Sequence, residues 1–432
     1  MHFRGGSRCR SGPRFPKLAA GTPASAPEGS CTLSAGMADF DVAVVGGAGH
    51  VGLPLSIAFA DRGLRVHIYD ISALAVEQIM SGQLPFEEPG AAEVLTKVLA
   101  SGNLSASADP TTLALAEHVV VVIGTPIDKH LNPEALDVPR EIAKLAPYLR
   151  PGQLLVLRST LYPGVTRMVE RLFADDQRGI EVAFCPERIA EGKAMTELFV
   201  LPQIIAGRSP RVRTRAAALF RHLTDKLVEL EPEEAELAKL FTNTWRYIKF
   251  ATANQLFMIA NDYGVDYDKI RRALAMDYPR ASDLPGAGLA AGPCLLKDTM
   301  QLAAFNNNQF TLGHSAMLIN EGLPLYEVAR LEQRFDLTRM TIGILGMAFK
   351  GESDDIRSSL SYRLKRILQF KAKKVLCTDS HVTADPELVP LERVLAEADL
   401  LVIGAPHVEY RDLEVKVPIV DITNLRGQGT RV

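Results

Sequence analysis

The chain has few features of a secreted, membrane-spanning or nucleic-acid-binding protein. Its five cysteines, at positions 9, 31, 185, 294 and 377, show no paired spacing, which argues against a disulfide framework or a zinc site. No apolar run is long enough to span a bilayer, and a formal net charge of -3 favours neither nucleic acid nor a membrane surface as a partner. We therefore expect a cytoplasmic protein with free thiols and no metal ion.

The length of 432 residues predicts two or three domains. Residues 1–36 are rich in Gly, Ser, Pro, Ala and Arg and contain no apolar core of a secretory signal, so we expect a disordered extension. A targeting role for this segment and a working start at Met37 are the alternatives. By pattern, the rest of the chain divides into residues 37–225, 226–335 and 336–432.

The order of strand and helix patterns predicts an α/β fold. Strand patterns at residues 40–45, 65–70, 118–123, 154–157 and 182–185 alternate with helical ones such as 53–62, which indicates a parallel sheet. Residues 233–263 contain neither Pro nor Gly and predict one long helix, which often carries a dimer face. Further helix extends to about residue 331. Strand patterns return at 341–345, 374–377, 400–403 and 417–420, with a helix at 358–370.

A dinucleotide-binding pattern follows the first predicted strand. Gly47-Ala-Gly-His-Val-Gly52 fits G-x-G-x-x-G and opens a helix, and Asp70 ends the next strand. The first glycine is expected to allow a tight turn, Gly49 to let the backbone approach a pyrophosphate, and Gly52 to let the helix pack on the sheet. A carboxylate at Asp70 would accept the ribose hydroxyls and repel a 2′-phosphate. NAD is therefore the expected cofactor, with His50 and Val51 beside it in the loop.

Polar residues at other strand ends are candidates for the same cleft. Thr160 follows the strand at 154–157, and Thr125 lies in Gly124-Thr-Pro126 after another strand, where a plain turn is an equal alternative. Glu187 and Glu191 follow the strand at 182–185, although charges in such a loop are usually just solvated.

The helical middle carries two further groups of polar residues. Lys239 and Asn243 lie four residues apart on one helix face, although a lysine among leucines often only snorkels to solvent. Cys294, Lys297 and Asp298 bring a thiol, an ammonium and a carboxylate within one helical turn after a Gly-rich loop. A lone Cys in a loop is more often a packed side chain than a nucleophile.

Taken together, these residues resemble the nucleotide-sugar 6-dehydrogenases, the family of UDP-glucose, UDP-N-acetylmannosamine and GDP-mannose dehydrogenases. The resemblance runs from about residue 40 to the end of the chain. It rests on Gly47–Gly52, Leu84-Pro-Phe-Glu-Glu-Pro-Gly90, Gly124-Thr-Pro126, Ser159-Thr160, Pro186-Glu187, Lys239 with Asn243, Gly292-Pro-Cys294, Leu345-Gly-Met-Ala-Phe-Lys350 and Asp354-Asp-Ile-Arg357. The fold that it implies is two Rossmann-like parallel-sheet domains joined by a long-helix central dimerisation domain.

The resemblance also implies a reaction and residue roles. The family oxidises the C6 alcohol of a nucleotide sugar to a carboxylate with two NAD per turnover. By match to the family nucleophile, Cys294 would form a thiohemiacetal and then a thioester. Lys239 would stabilise the oxyanion, Asn243 would position the oxygen, and Asp298 with Thr160 would hold a proton-accepting water. The base that hydrolyses the thioester would be Glu187 or Glu191; the sequence leaves both open.

The same resemblance implies substrate contacts from a larger set of residues. They are Arg188, Lys239, Asn243, Arg246, Gly292, Lys350 and Arg357. Lys297 adjoins the nucleophile and is expected only to tune the field there. A homodimer through the central helix is the expected quaternary state, and neither nucleic acid nor a membrane is expected as a partner.

Departures from the family pattern affect the expected ligand contacts. Ala75 stands where a basic residue is common, alanines replace glycines in Gly286-Ala-Gly-Leu-Ala-Ala-Gly292, and Glu87 replaces an aromatic residue before Glu-Pro-Gly. The signals for the sugar conflict. Pro186-Glu-Arg and Asn243-Thr-Trp-Arg246 resemble the N-acetylhexosamine branch, whereas Cys294-Leu-Leu-Lys-Asp298 resembles the UDP-glucose branch. UDP-glucose is favoured, and UDP-N-acetylmannosamine, UDP-N-acetylglucosamine and GDP-mannose are the alternatives.

Two other functions compete with this interpretation. A two-electron 2- or 3-hydroxyacid dehydrogenase also has a Rossmann domain followed by helices, but it would need neither Cys294 nor a second βα domain. A catalytically silent nucleotide-sugar binder would not need Cys294, Lys239, Asn243, Thr160 and Asp298 together.

Overall fold

A computed structural model describes residues 38–125, 127–128, 130–430 and 432. The extension expected at residues 1–36 lies outside the described residues, as do Pro126 and the cysteines at positions 9 and 31. Among the described residues, Cys185, Cys294 and Cys377 are free thiols.

The strands form two sheets. The first contains β1 to β8 (Phe40–Val45, Val66–Tyr69, Leu104–Ser107, Ala116–Val121, Leu154–Leu157, Glu181–Phe184, Gln203–Gly207 and Leu227–Leu230). Their order across the sheet is β3-β2-β1-β4-β5-β6-β7-β8. The second sheet contains β9 to β12 (Thr341–Leu345, Lys374–Thr378, Leu400–Ile403 and Ile419–Val420) in the order β10-β9-β11-β12. Neighbouring strands pair in parallel except β6 and β7, which are antiparallel.

The helices alternate with these strands and fill the middle of the chain. Those of the first sheet region, α1 to α7, are Gly52–Asp61, Ala73–Met80, Ala91–Ala100, Asp137–Leu145, Val165–Leu172, Ala194–Val200 and Pro210–Phe220. The middle contains α8 to α11 (Pro232–Asp262, Tyr267–Ala275, Leu295–Phe305 and Thr311–Arg334), and α12 and α13 (Leu360–Lys371 and Leu391–Glu397) follow with the second sheet. Short 3-10 helices lie at Pro110–Leu115, Ala146–Tyr148, Leu337–Arg339 and Val408–Tyr410.

The inner strands, such as β1, β5 and β9, are mostly apolar because both faces of each sheet are covered there. In β1, Val42 and Val44 pack into one core layer while Ala43 and Val45 pack into the layer on the opposite face. This division follows from the two-residue period of a strand. Helical layers on both faces are the arrangement expected of a doubly wound fold.

Each sheet has a point where the strand order reverses. In the first sheet this point lies between β1 and β4, and in the second between β9 and β11. Ligands of open parallel sheets bind beyond the carboxyl ends of the strands at such points. We therefore expect ligand sites in the loops that follow β1, β4 and β9.

The long helix of the middle begins with a capping box at Glu231 and Glu234 and packs against α10 and α11. No helix in the described part of the chain combines the length and the apolar character needed to cross a membrane.

The predicted elements agree with the observed ones in type and nearly in position. The expected bounds of β1, β5, β9 and β11 are confirmed, and the helix expected at 233–263 is found at Pro232–Asp262. The fold class is confirmed, with the correction that one strand pair of the first sheet is antiparallel. The domain boundaries at residues 225 and 335 stay a prediction.

One buried carboxyl group in α11 has no compensating partner within the described part of the chain. Glu327 is fully buried on the same face as Asn320, Leu323 and Leu331, and among the described residues neither of its carboxylate oxygens has a hydrogen-bond partner. Burial raises the pKa of Glu327 from its ordinary value of 4.5 to about 8. The folded protein therefore holds this proton at pH values where the unfolded chain has lost it.

This burial predicts a pH-dependent stability. Because the folded-state pKa is raised, the stability contributed by Glu327 is full below pH 4.5 and is lost as the pH rises towards 8. The loss is on the order of 1 kcal/mol per pH unit. Glu327→Gln should remove that slope. In denaturant unfolding at pH 5, 6.5 and 8, the free energy of unfolding of the variant should therefore increase relative to that of the wild type as the pH rises. Glu332→Gln, an exposed carboxylate on the same helix, is the control. Parallel pH curves for wild type and Glu327→Gln would contradict the assignment.

Candidate active site

The turn between β1 and α1 requires glycine at three positions. Gly46 has a φ of 73°, and a Cβ atom there would lie 2.1 Å from the carbonyl oxygen of Val122. A Cβ atom on Gly52 would lie 2.3 Å from the Gly46 oxygen, and one on Gly47 would lie 2.8 Å from Ile68. The tight turn therefore falls on Gly46 and not on Gly47 as expected, whereas Gly47 and Gly52 are required for close packing.

The acidic residue after β2, Asp70, is hydrogen-bonded to the backbone of this turn. Asp70 accepts hydrogen bonds from the backbone nitrogen atoms of Ala48, at 3.1 Å, and Ser72, at 3.0 Å. A Cβ atom on Gly49 would meet only the Gly46 oxygen, at 3.6 Å, so a ligand can approach the backbone there. The turn, the amino end of α1 with His50 and Val51 before it, and the fixed carboxylate together fit the pyrophosphate and ribose of a dinucleotide.

The neighbouring strand ends are joined to each other and to α10. The hydroxyl of Ser159 accepts a bond from the Ile123 nitrogen at 2.8 Å and donates one to the Ile123 oxygen at 2.7 Å. Thr125 accepts a hydrogen bond from the Lys297 ammonium at 3.0 Å. Thr125 and Thr160 also line one small cavity. Both predicted threonines thus lie beside the helix that carries the thiol.

Cys294 immediately precedes α10, so its thiol lies at the amino end of that helix. The residue is exposed, yet protein atoms surround the thiol, and we call the surface around this thiol the cleft. This burial raises the pKa of the Cys294 thiol, and the Asp298 carboxylate raises it further. The charges of Lys297, Lys239 and Arg357 act in the opposite direction. A thiol and four charged side chains therefore share one electrostatic environment.

The carboxylate beside the thiol is completely buried and paired. Asp298 is 0% exposed, accepts a hydrogen bond from the Asn243 amide at 2.6 Å, and lies 3.0 Å from the Lys297 ammonium. Lys239, one helical turn before Asn243, is also buried. Within the described residues its ammonium has no hydrogen-bond or ion-pair partner, so it is available to a ligand. The predicted group of Lys239, Asn243, Cys294 and Asp298 is thus brought together.

The two glutamates that the sequence left open have different surroundings. Glu187 forms a buried ion pair with Arg158 and also accepts bonds from the backbone nitrogen atoms of Arg188, at 2.6 Å, and Ile189, at 2.9 Å. Its oxygens are therefore occupied by structural contacts. Sequence reasoning missed Arg158, although a charged residue directly after a fully apolar strand is a signal that such a partner exists.

Glu191, by contrast, lies close to charged and titratable side chains near the cleft. Its carboxylate is 3.6 Å from the imidazole of His50 and 3.5 Å from the guanidinium of Arg357, and its carbonyl oxygen accepts a bond from Lys350. Burial, followed by the charge of Asp355, raises the pKa of Glu191 to about 7, against the influence of Arg357 and Lys350. A carboxyl group that titrates near neutrality suits a general base.

Most of the predicted substrate residues lie near the cleft, whereas Arg188 bonds elsewhere. A Cβ atom on Gly292, which has a φ of 102°, would lie 2.7 Å from the ring of Phe349, so the Gly-rich loop packs closely on the segment that carries Lys350. The charge of exposed Arg246 lowers the pKa of Lys350, which places the two near each other, although burial is the larger cause. Arg188 instead donates to the backbone oxygen of Pro202.

Glu87, the departure from the family pattern, joins the two sheet regions. Its carboxylate is 2.8 Å from His381, which follows β10, and its backbone nitrogen donates to Asp354 at 3.0 Å. The neighbouring Glu88 is buried and accepts bonds from the backbone of Gly192 and Ala194. The loop at 84–90 therefore holds the Glu191 segment and the second sheet region together.

Three segments of the chain match the domains of one family. Residues 40–224 match the UDP-glucose/GDP-mannose dehydrogenase family, NAD binding domain; residues 233–322 match its central domain, and residues 343–426 its UDP binding domain. A UDP-N-acetyl-D-mannosamine dehydrogenase of Yersinia pestis is 30% identical over 406 residues, which span 87% of this chain and 96% of that protein.

Solved structures are similar over nearly the whole chain. The UDP-D-ManNAc dehydrogenase of Pyrococcus horikoshii has a TM-score of 0.81 at 29% identity and matches over 90% of this chain and 96% of its own. A UDP-glucose dehydrogenase of Pyrobaculum islandicum has a TM-score of 0.82 at 26% identity, over 93% and 99% of the two chains. The chain therefore belongs to the UDP-glucose/GDP-mannose dehydrogenase family, and it is an NAD-dependent nucleotide-sugar dehydrogenase.

Proposed function

We propose that this enzyme oxidises the C6 alcohol of a UDP-linked hexose to the carboxylate, in two steps that pass through a covalent intermediate on Cys294. The observation that carries the proposal is the position of Cys294 at the start of α10, where the charges of Lys239, Lys297, Asp298 and Arg357 all act on its thiol. A single alcohol-to-aldehyde oxidation would require no nucleophile at this place.

The cofactor would be held by the turn at 46–52 and by Asp70, whose carboxylate is fixed by the backbone of Ala48 and Ser72. When bound, NAD supplies a hydride acceptor. Lys239, buried and available to a ligand, would stabilise the negative charge that develops on the C6 oxygen. Asn243 and Asp298, joined at 2.6 Å, would hold the water that receives the alcohol proton together with Thr160.

Cys294 would then add to the aldehyde carbon. The resulting thiohemiacetal would give a hydride to a second NAD and its hydroxyl proton to the bound water, and the thioester so formed would be hydrolysed by water. Glu191 is the base that we favour for this hydrolysis because its pKa is raised to about 7 and its carboxylate lies near His50 and Arg357. Glu187 is less suitable, since Arg158 and two backbone nitrogens already occupy its carboxylate.

Lys350, Arg357 and Arg246 would bind the diphosphate, with Gly292 beside the sugar. Arg246 offers paired donors that match phosphate oxygens, whereas Arg357, whose Nε and Nη2 already donate to Asp355, would add positive charge together with Lys350. Arg188 is the weakest of the predicted substrate contacts, because its guanidinium donates to Pro202 within the first sheet region.

A 2-acetamido sugar is the substrate that we now favour. The support comes from Pro186-Glu-Arg188 and Asn243-Thr-Trp-Arg246, and from relatives named as UDP-N-acetyl-D-mannosamine dehydrogenases. UDP-glucose is the second candidate, supported by Cys294-Leu-Leu-Lys-Asp298 and by similarity to the Pyrobaculum islandicum enzyme.

We also propose that the enzyme is a homodimer formed through α8. The helix exposes the apolar side chains of Phe241 and Trp245 and, further along, those of Leu256 and Ile259, and exposed Tyr263 follows its end. These residues are separated by three, four or eleven positions and therefore lie on one side of the helix. A group of exposed apolar side chains on one face of a monomer is typical of an interaction surface.

A reducing, cytoplasmic setting is proposed as well, because it would keep Cys294 free.

The reaction can be tested by its stoichiometry. Purified enzyme with NAD and a panel of UDP-, GDP- and TDP-sugars should form two NADH per sugar consumed, with a UDP-sugar as the preferred substrate. Cys294→Ala should form at most one NADH per sugar, because the aldehyde cannot be captured. Asp283→Asn, an exposed change outside the cleft, is the matched control. A ratio of two from Cys294→Ala would remove the thiol from the mechanism.

The preference for NAD over NADP should depend on Asp70. The wild type should use NADP poorly, because the carboxylate would face the 2′-phosphate. Asp70→Asn keeps an acceptor for the backbone of Ala48 but removes the charge, so KM for NAD should rise by about tenfold and the NAD/NADP ratio should fall. Steady-state kinetics with both cofactors measures this. Equal use of NADP by the wild type would refute the assignment.

The charges around Cys294 should set the pH at which its thiol reacts. Asp298→Asn should shift the midpoint of iodoacetamide alkylation to lower pH, and Lys297→Met should shift it to higher pH, because these charges act in opposite directions on the thiol. Peptide mass spectrometry distinguishes Cys294 from the other cysteines. Burial also raises the pKa of Cys185 and Cys377 to about 12, which slows their reaction. Shifts of the same sign in the two variants would contradict this account.

A further inference from the structure

We propose that Glu236 is a positioning residue for the oxidation: its buried carboxylate fixes the segment that carries Thr160 onto α8 and so sets where the Thr160 hydroxyl lies. This inference rests on the proposed function, in which Thr160 helps to hold the water that receives the alcohol proton. Glu236 acts through the backbone, so it needs no contact of its own with the substrate or the cofactor.

The carboxylate of Glu236 bonds to the backbone at the amino end of α5. Its two oxygens accept hydrogen bonds from the backbone nitrogen atoms of Gly164, at 2.6 Å, and Thr166, at 2.8 Å. Glu236 is only 1% exposed, and a carboxylate buried to this degree must be hydrogen-bonded to stay charged. The free N–H groups at the start of a helix are donors that suit a negative charge. We call this contact the Glu236 anchor.

Thr160 lies in a short segment that is fixed at both ends. At the first end, the hydroxyl of Ser159 bonds to the backbone nitrogen and oxygen of the loop after β4, at 2.8 and 2.7 Å. At the other end, Gly164 bonds to Glu236. Only the residues from Thr160 to Pro163 lie between these ends, and the proline ring restricts the backbone further. The position of the Thr160 hydroxyl therefore depends on both contacts.

The Glu236 anchor lies on the side of α8 that carries the proposed reactive groups. Glu236, Lys239 and Asn243 follow each other at intervals of three and four positions, so they share one side of the helix. All three are buried, and Asn243 bonds to Asp298 at 2.6 Å. One helix thus fixes the Thr160 segment, the ammonium and the buried carboxyl group relative to each other. Proton and hydride transfer require this precision, because small displacements of the reacting groups slow them strongly.

Glu236→Gln tests the anchor with a side chain of nearly the same shape. The amide oxygen can accept one backbone bond, but the amide N–H group then faces the other backbone N–H. In the purified full-length enzyme, kcat for NADH formation should fall by about tenfold, the usual effect of losing a hydrogen bond to a charged group. Thr160→Ala should lower kcat by a similar factor. The two losses should not multiply, because both variants remove the same placed hydroxyl, so the double variant should stay within about twofold of Thr160→Ala.

Two further variants separate positioning from a loss of stability. Glu234→Gln makes the same chemical change at an exposed position of α8 and preserves the capping box, so it should match the wild type. Gly164→Ala disturbs the anchor from the loop side, because alanine rarely adopts a φ of 99°. It retains the buried carboxylate, so it replaces Glu236→Gln if that variant does not fold. Losses that multiply with Thr160→Ala, or an unchanged kcat in Thr160→Ala, would overturn the proposal and leave the proposed function intact.

Amide hydrogen exchange tests the anchor without any substrate. In Glu236→Gln, the backbone amides of Gly164 and Thr166 should exchange faster than in the wild type, whereas those in the middle of α8 should not change. Unchanged exchange at both amides would overturn the anchor itself. A wild type that reduces no NAD with any sugar of the panel would refute the proposed function and, with it, the catalytic role of Glu236, whereas faster exchange in the variant would still support the anchor.

Discussion

The buried carboxylate of Asp298 is the constraint on which the arrangement of the cleft depends. A fully buried charge must be paired, and the partners of Asp298 come from two directions. Asn243 donates a hydrogen bond to it from α8, and Lys297 contacts it while also donating to Thr125, in the loop after β4. One buried carboxyl group thus joins the long helix, the helix that begins after Cys294 and the loop beside the dinucleotide turn.

The same pairing explains why the thiol is present but not strongly activated. Asp298 raises the pKa of Cys294 together with burial, whereas Lys297, Lys239 and Arg357 lower it. A raised pKa means that the thiol is mostly protonated at neutral pH, which protects it from oxidation and alkylation. In the proposed mechanism, the reactivity of Cys294 would then depend on the charges that bound ligands bring close to its thiol.

The sequence predicted the elements whose pattern is local and missed contacts that depend on tertiary approach. Buried strands such as Phe40–Val45 and Thr341–Leu345 were placed correctly, because a strand covered on both faces is a continuous apolar run. The sequence pattern assigns the tight turn to Gly47, but the structure has it at Gly46. Gly46 must be glycine because the carbonyl oxygen of Val122, the residue after β4, lies too close to allow a Cβ atom. Arg158 was missed, and Glu187 could not be distinguished from Glu191, since both questions depend on which partners meet in space.

The central claim is that the Cys294 sulfur meets the C6 carbon of the sugar beside the cofactor. A crystal structure of the wild-type enzyme with the reduced cofactor and a UDP-sugar tests it most directly, because the reduced cofactor cannot accept a hydride and the complex stays intact. The account predicts that Sγ lies about 3.5 Å from C6, with the Lys239 ammonium near the C6 oxygen. A sulfur atom that points away from the hexose, beyond bonding range of C6, would contradict it.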